Sequence, residues 1–183
     1  MPDGFRFSAK LPKTITHELR LVGCEEALAR FLAEVAPLGD KLAILLVQLP
    51  PSLAFDGAAA ARFFRTLRDR TPLELACEPR HVSWFEDEAD ALLERLRIAR
   101  VAADPAKVED AAAPGGWRGL DYYRLHGSPV VYRSSYDDGR LEAYAAAIEQ
   151  ARAQGGDVWC IFDNTASSAA TGDALKLQAL TSR

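Results

Sequence analysis

Glu78 and Asp163 each close an apolar run of the chain. Two carboxylates placed this way are candidates for general acid/base work, provided their surroundings push their pKa values apart. Arg80 follows Glu78 by two residues, and Arg124 closes a third run. A neighbouring guanidinium favours the ionised carboxylate, which suits a base or a cation ligand. His126 stands two residues beyond Arg124 and just before Gly127. An imidazole there can exchange protons near neutral pH, and glycine lets the backbone come close to a ligand. Glu78, Asp163 and His126 are therefore the candidate catalytic residues. Lys10, Arg80 and Arg124 suit an anionic group, arginine through its bidentate fork. His17, Gln48, His81, Tyr132 and Asn164 complete the candidate ligand contacts.

Other chemistries lack their patterns. Glu78, Asp104, Asp163 and His126 could converge on a cation, but no H-x-H or H-E-x-x-H pair supports it, and no metal site is assigned. The Gly115–Gly116 pair lacks the rest of a phosphate loop, and neither G-x-S-x-G nor G-x-G-x-x-G occurs. No motif names a cofactor. Cys24, Cys77 and Cys160 are odd in number and far apart. They read as buried thiols of a reducing, cytoplasmic compartment. No run of 18 apolar residues encodes a membrane span, and the N-terminus lacks the apolar region of a signal peptide.

The candidates need elements to position them. Apolar runs at residues 5–10, 42–49, 73–78, 100–103, 120–125 and 157–162 read as strands. Stretches at 24–36, 58–70, 86–97, 140–153 and 173–180 read as helices. Residues 104–119 read as a loop or short helix, and 127–139 as a long loop. The alternation makes six βα units, hence a parallel sheet with helices packed on it, in one domain.

Side chains of a strand alternate between faces. Arg6, Ser8 and Lys10 share a face in the first strand, and Glu74, Ala76 and Glu78 in the third. Arg100, Ala102 and Asp104 do so in the fourth, and Tyr122, Arg124 and His126 in the fifth. Gln48 and Asp163 end the second and last strands. An open sheet covered on both sides should not carry charges on one face. A βα-barrel can, because its chemistry sits at the C-terminal strand ends. The deeper Arg6, Glu74 and Arg100 would form a structural ionic network. Ser83 is an N-cap candidate, with Trp84 at a helix start. Tyr132 and Tyr136, in the long loop, could form a lid or stacking surface.

The chain has 183 residues, 49% hydrophobic and 26% charged, with a formal charge of −4. That composition suits a globular protein. The acidic balance disfavours a non-specific nucleic-acid binder. The length falls short of the roughly 250 residues of a closed eight-stranded α/β barrel.

The stretches F-R-F-S-A-K (5–10), I-T-H (15–17), Q-L-P-P (48–51), E-P-R-H-V-S-W (78–84), Y-R-L-H-G (123–127) and F-D-N-T-A (162–166) resemble the DUF72, or YecE-like, family in order and spacing. The resemblance implies a TIM-barrel-like fold and no particular activity. It also implies an N-terminal portion with two further strands before this chain's first residue. The expected fold is thus an α/β, TIM-barrel-like arrangement of six βα units, a partial or open barrel. Its exposed sheet edges would recruit a second copy of the chain, or leave it folding poorly as a non-catalytic remnant. The expected function is acid/base chemistry on a small anionic ligand. The alternative is binding or processing of a nucleic-acid phosphodiester, with Tyr132, Tyr136 and Trp84 stacking on bases.

Overall fold

The computed structural model describes residues 2–182. Strands β1 (Phe7–Lys10), β2 (Leu42–Gln48), β3 (Glu74–Glu78) and β4 (Ile98–Arg100) run parallel in that order. Between them lie α1 (Glu25–Val35), α2 (Gly57–Arg70) and α3 (Asp87–Arg95). One residue after β4 the chain re-enters as β5 (Ala102–Asp104). β5 belongs to a second sheet, pairing in parallel with β7 (Leu120–Leu125), which pairs with β8 (Asp157–Phe162). Helices α4 (Asp138–Ala153) and α5 (Ala169–Thr181) follow β7 and β8.

The handover at Val101 has a local cause. A short strand, β6 (Gly115–Gly116), pairs antiparallel with β4 and occupies the edge that a parallel neighbour would need. Only glycine fits there. Gly116 has φ +60°, and a Cβ on it would lie 2.6 Å from the Ile98 carbonyl oxygen. The Gly115–Gly116 pair is a close backbone approach.

β2 is apolar on both faces, as a covered parallel strand should be. Asp56 caps α2, accepting from the amides of Ala58 and Ala59 at 3.0 Å. Ala60, Phe63, Phe64 and Leu67 bury the stripe that a 3.6-residue period provides. Asp137 caps α4 in the same way, accepting from Arg140 N at 2.8 Å.

Both sheets turn their inner faces to a shared interior. Ile44, Leu46, Ala76, Ala99, Val101, Leu120 and Tyr122 form its buried cluster. Tyr122 Oη donates to Ser8 Oγ at 2.9 Å, tying β7 to β1 across it. Among the described residues β1 and β8 do not pair, so the arrangement is not closed.

The faces of β1, β3, β7 and β8 follow the alternation read from sequence; in the fourth strand Arg100, Ala102 and Asp104 do share a face, but it is the helix side. Ala99 and Val101 point inward, while Arg100 turns to the helix side. There its Nε donates to Asp90 Oδ1 at 2.9 Å, and its guanidinium lies 4.8 Å from the Phe85 ring centre. Asp104 also faces helices, accepting from Arg140 Nη2 at 2.5 Å and Tyr144 Oη at 3.1 Å. Neither belongs to the inner ring of charges. Arg6 is exposed and donates to the backbone oxygens of Asp3 and Phe5. The deeper ionic network of Arg6, Glu74 and Arg100 is thus absent, and apolar packing takes its place.

Candidate functional site

The C-terminal strand ends bring Lys10, Gln48, Glu78, Arg80, Arg124, His126 and Asp163 into one network of hydrogen bonds and charge pairs. Lys10 closes β1, Gln48 closes β2 and Glu78 closes β3; Arg124 and His126 come from the end of β7, and Asp163 follows β8. Gln48 and Glu78 are register partners on adjacent parallel strands. Their side chains therefore leave the sheet on the same face, and Gln48 Nε2 donates to both Glu78 oxygens at 3.0 Å. The amide's other end, Oε1, lies 3.5 Å from Lys10 Nζ. This arrangement fixes the amide with its oxygen toward the ammonium and its nitrogen toward the carboxylate.

Glu78 is 2% exposed. An isolated charge so deep would be costly. Arg80 Nε and Nη2 donate to its Oε1 at 3.1 and 2.9 Å, and Arg124 Nη1 donates to its Oε2 at 2.5 Å. Burial pushes the carboxyl up, yet Arg124 and then Arg80 outweigh it and hold Glu78 below its ordinary value. The second guanidinium nitrogen of Arg124, Nη2, donates to Asp163 Oδ2. Asp163 is likewise held down, His126 and Arg124 overcoming its burial. His126 Nδ1 lies 3.3 Å from Asp163 Oδ2, an approach close enough for charge pairing but poorly aligned for a hydrogen bond.

The network opens onto a cavity of about 340 Å3. Glu78, Arg80 and His126 reach it from the strand ends; Lys107, Val131 and Tyr132 wall it from the loops after β5 and β7. Tyr132 is half exposed and meets the His126 ring edge to face, centres 5.7 Å apart. Its amide donates to the His126 carbonyl at 2.5 Å. Gly127 makes this loop possible: its φ is +90°, and a Cβ would fall 2.7 Å from Ser134 O. A larger groove of about 700 Å3 lies along β8 against α4 and α5 and holds none of the expected site residues.

The remaining candidates are placed apart from the cavity wall. His17 sits in a single π turn, Thr14–Glu18, with Nδ1 2.8 Å from Thr16 Oγ1. Its own burial, then Lys13, Arg80 and Lys10, disfavour its protonated form and lower its pKa. His81 caps a short 3-10 turn through Ser83 N, with Nδ1 2.9 Å from Ser83 Oγ. Ser83 is not the N-cap of α3; its Oγ accepts from Phe55 N at 2.8 Å. Asn164 is fully buried, and its Nδ2 donates to Ser134 O at 2.9 Å and Asp173 Oδ2 at 2.6 Å. Its nitrogen thus serves the loop after β7, while Oδ1 has no partner among the described residues. Trp84 and Tyr136, expected as stacking rings, are 1% and 2% exposed. Trp84 Nε1 donates to Leu53 O, and Tyr136 Oη accepts from Gly127 N.

Sequence reasoning missed Lys107 and Asp173. Lys107 is a lone cation in an Ala- and Pro-rich loop, and its position just beyond a strand end was the available signal. Asp173 carried none, because an acid in the first turns of a helix is ordinary. Asp104 points away from Glu78, Asp163 and His126. Among the described residues no three His, Cys, Asp or Glu side chains gather as they would around a metal ion.

An α/β protein with parallel strands and a polar cluster at their C-terminal ends is thus the class that fold and site define. The profile of the family described as "Protein of unknown function DUF72" matches residues 1–183, and the chain belongs to that family. It is similar to the crystal structure of a DUF72 family protein from Thermotoga maritima, with TM-score 0.80 and 24% identity. All of this chain and 76% of that one are covered. Two crystal structures of a DUF72 family protein from Enterococcus faecalis match with TM-scores 0.82 and 0.80 and identities of 20% and 22%. They are covered over 76% and 80% of their length, with all of this chain aligned. At such identities the likeness shows the fold alone. No curated protein matches. Among the described residues no helix is long and apolar enough to cross a membrane.

Proposed function

We propose that the cavity beside Glu78 binds a small anionic ligand, bearing a phosphate or a carboxylate, and performs acid/base chemistry on it. One observation carries this reading: two cations with unused donors, Arg80 and Lys107, line the same small cavity as His126. Arg80 spends Nε and Nη2 on Glu78, and Nη1 has no partner among the described residues. Lys107 has none either.

The roles follow from the contacts. Glu78 has both oxygens occupied and orients Arg80 toward the ligand. Asp163 stands 3.3 Å from His126 Nδ1 and would stabilise the ring when it carries a proton, while Nε2 is left for proton exchange with the ligand. Arg124 and Arg80 together offset the charges of Glu78 and Asp163, which leaves Lys107 as a surplus positive charge at the cavity. Lys10 and Gln48 hold the far side of the network. The separated, unbridged cysteines support a reducing, cytoplasmic setting. The nucleic-acid reading retains one exposed ring, Tyr132, of the three it needs.

Thermal unfolding with phosphate and carboxylate anions tests the proposal. A ligand bound by the native state raises the Tm with its concentration. The expected result is a rise for the natural chain and none for Arg80→Gln combined with Lys107→Gln. A rise of equal size in the double variant, or no rise for any anion, would remove the reading.

A further inference from the structure

We infer that the ligand of this cavity carries its anionic group on a compact apolar or aromatic body, and not on a polyhydroxylated one. The inference deepens the anion-binding reading and rests on it. Apart from Glu78, Arg80, Lys107 and His126, the wall is made of Pro79, Ala103, Pro105, Ala111, Val131 and Tyr132. No serine, threonine, asparagine or glutamine side chain lines it among the described residues.

That absence matters for a sugar phosphate. Each buried hydroxyl needs a partner or costs free energy. The polar side chains on the wall supply few of them, the single neutral hydroxyl being that of the half-exposed Tyr132. Glu78's oxygens already accept from Gln48, Arg80 and Arg124. Arg80 and Lys107 can only donate, and they are the groups an anion would take. His126 leaves a single nitrogen. A ring or a short branched chain asks for none of this. It would lie against the prolines, Ala111 and Val131, with Tyr132 offering an aromatic surface. The volume of about 340 Å3 suits such a body together with its charged group.

Phosphate and carboxylate share the required charge, so both belong in the test. Titration calorimetry of the whole chain would compare phenyl phosphate, phenylacetate, inorganic phosphate and ribose 5-phosphate. The expected result is that phenyl phosphate or phenylacetate binds about tenfold or more tightly than the other two, from burial of the ring. The tighter of the aryl pair identifies the anionic group. A second arm uses Val131→Ser with Tyr132→Asn. Both residues are well exposed, and asparagine tolerates the left-handed backbone of Tyr132, whose φ is +66°. The aryl preference should fall severalfold in that variant. Equal or tighter binding of ribose 5-phosphate or inorganic phosphate overturns the inference and leaves the anion reading standing. An aryl preference unchanged in the variant also overturns it, because the ring then sits elsewhere. Binding of no probe removes both.

Discussion

Glu78 and Asp173 are both buried carboxylates, 2% and 1% exposed, yet they are compensated in opposite ways. Glu78 is met by two guanidinium groups and an amide, and its network continues through Arg124 to Asp163 and His126. Asp173 forms no ion pair among the described residues. It accepts from Ser135 Oγ at 2.7 Å, Tyr136 N at 3.1 Å and Asn164 Nδ2 at 2.6 Å, all neutral donors. The charged network ends in a cavity. The neutral one is sealed beneath the loop that carries Tyr132, and it ties that loop to α5 and to the end of β8. A buried charge met by guanidinium groups leaves donors on them that an anionic ligand can share. One met by backbone and short side chains locks a shape. We read the first as the working part of the site and the second as its support.

The largest effect that breaks this comparison should come from Arg124→Met. It strips a partner from Glu78 and from Asp163 at once, leaving two carboxylates facing each other. Removing one member of a buried ion pair costs on the order of 3–5 kcal/mol, and chemical denaturation would measure it. A loss below about 1 kcal/mol would mean that water already reaches the network and that it is not a buried charge system.

Asp173→Ala should follow, at about 2 kcal/mol, because it removes the acceptor of two buried donors, Tyr136 N and Asn164 Nδ2. Its second readout is hydrogen exchange of the loop after β7, which should accelerate. Exchange confined to α5 would show that Asp173 supports its own helix and not the loop.

Acid should separate the two regions as well. Glu78 and Asp163 have folded-state pKa values below their ordinary 4.5 and 3.8. A depressed carboxylate contributes stability that is present above its ordinary pKa and lost as pH falls through the folded value. The natural chain should therefore lose stability steadily below about pH 4.5, and Glu78→Gln should flatten that limb. An unchanged limb would place the acid-sensitive groups elsewhere.

The charged network was legible in sequence because strand periodicity is simple. Lys10, Gln48, Glu78, Arg124, His126 and Asp163 sit at strand ends, and a period of two put them on one side of the sheet. The period also held at the fourth strand, but the side facing inward was assigned the wrong way round. Its inward residues, Ala99, Val101 and Ala103, carry no polar signal, while Arg100 and Asp104 do, and both belong to ion pairs with helices. The support network could not be read at all. Asp173 lies 37 residues beyond Tyr136, and nothing in either residue's neighbourhood marks the contact. Loops pose the same difficulty. Lys107 and Val131 reach the cavity because β6 and the turn at Gly127 fold their segments back, and those turns depend on contacts distant in sequence.

The smallest stability effect should be that of Lys107→Gln. Lys107 is exposed and makes no ion pair among the described residues, so its removal should change stability by less than about 0.5 kcal/mol. Its effect should appear in binding alone. A cation at the cavity wall adds a screened attraction to an anion, so affinity should fall severalfold at low salt, and the deficit should shrink as salt is added. Arg80→Gln should differ on both counts. It weakens the anion site and also releases Glu78, so affinity and acid stability move together. A Lys107→Gln variant that shifts stability as much as Arg80→Gln would show that the loop after β5 is fastened through this side chain, and the line between working network and support would have to be redrawn to include it.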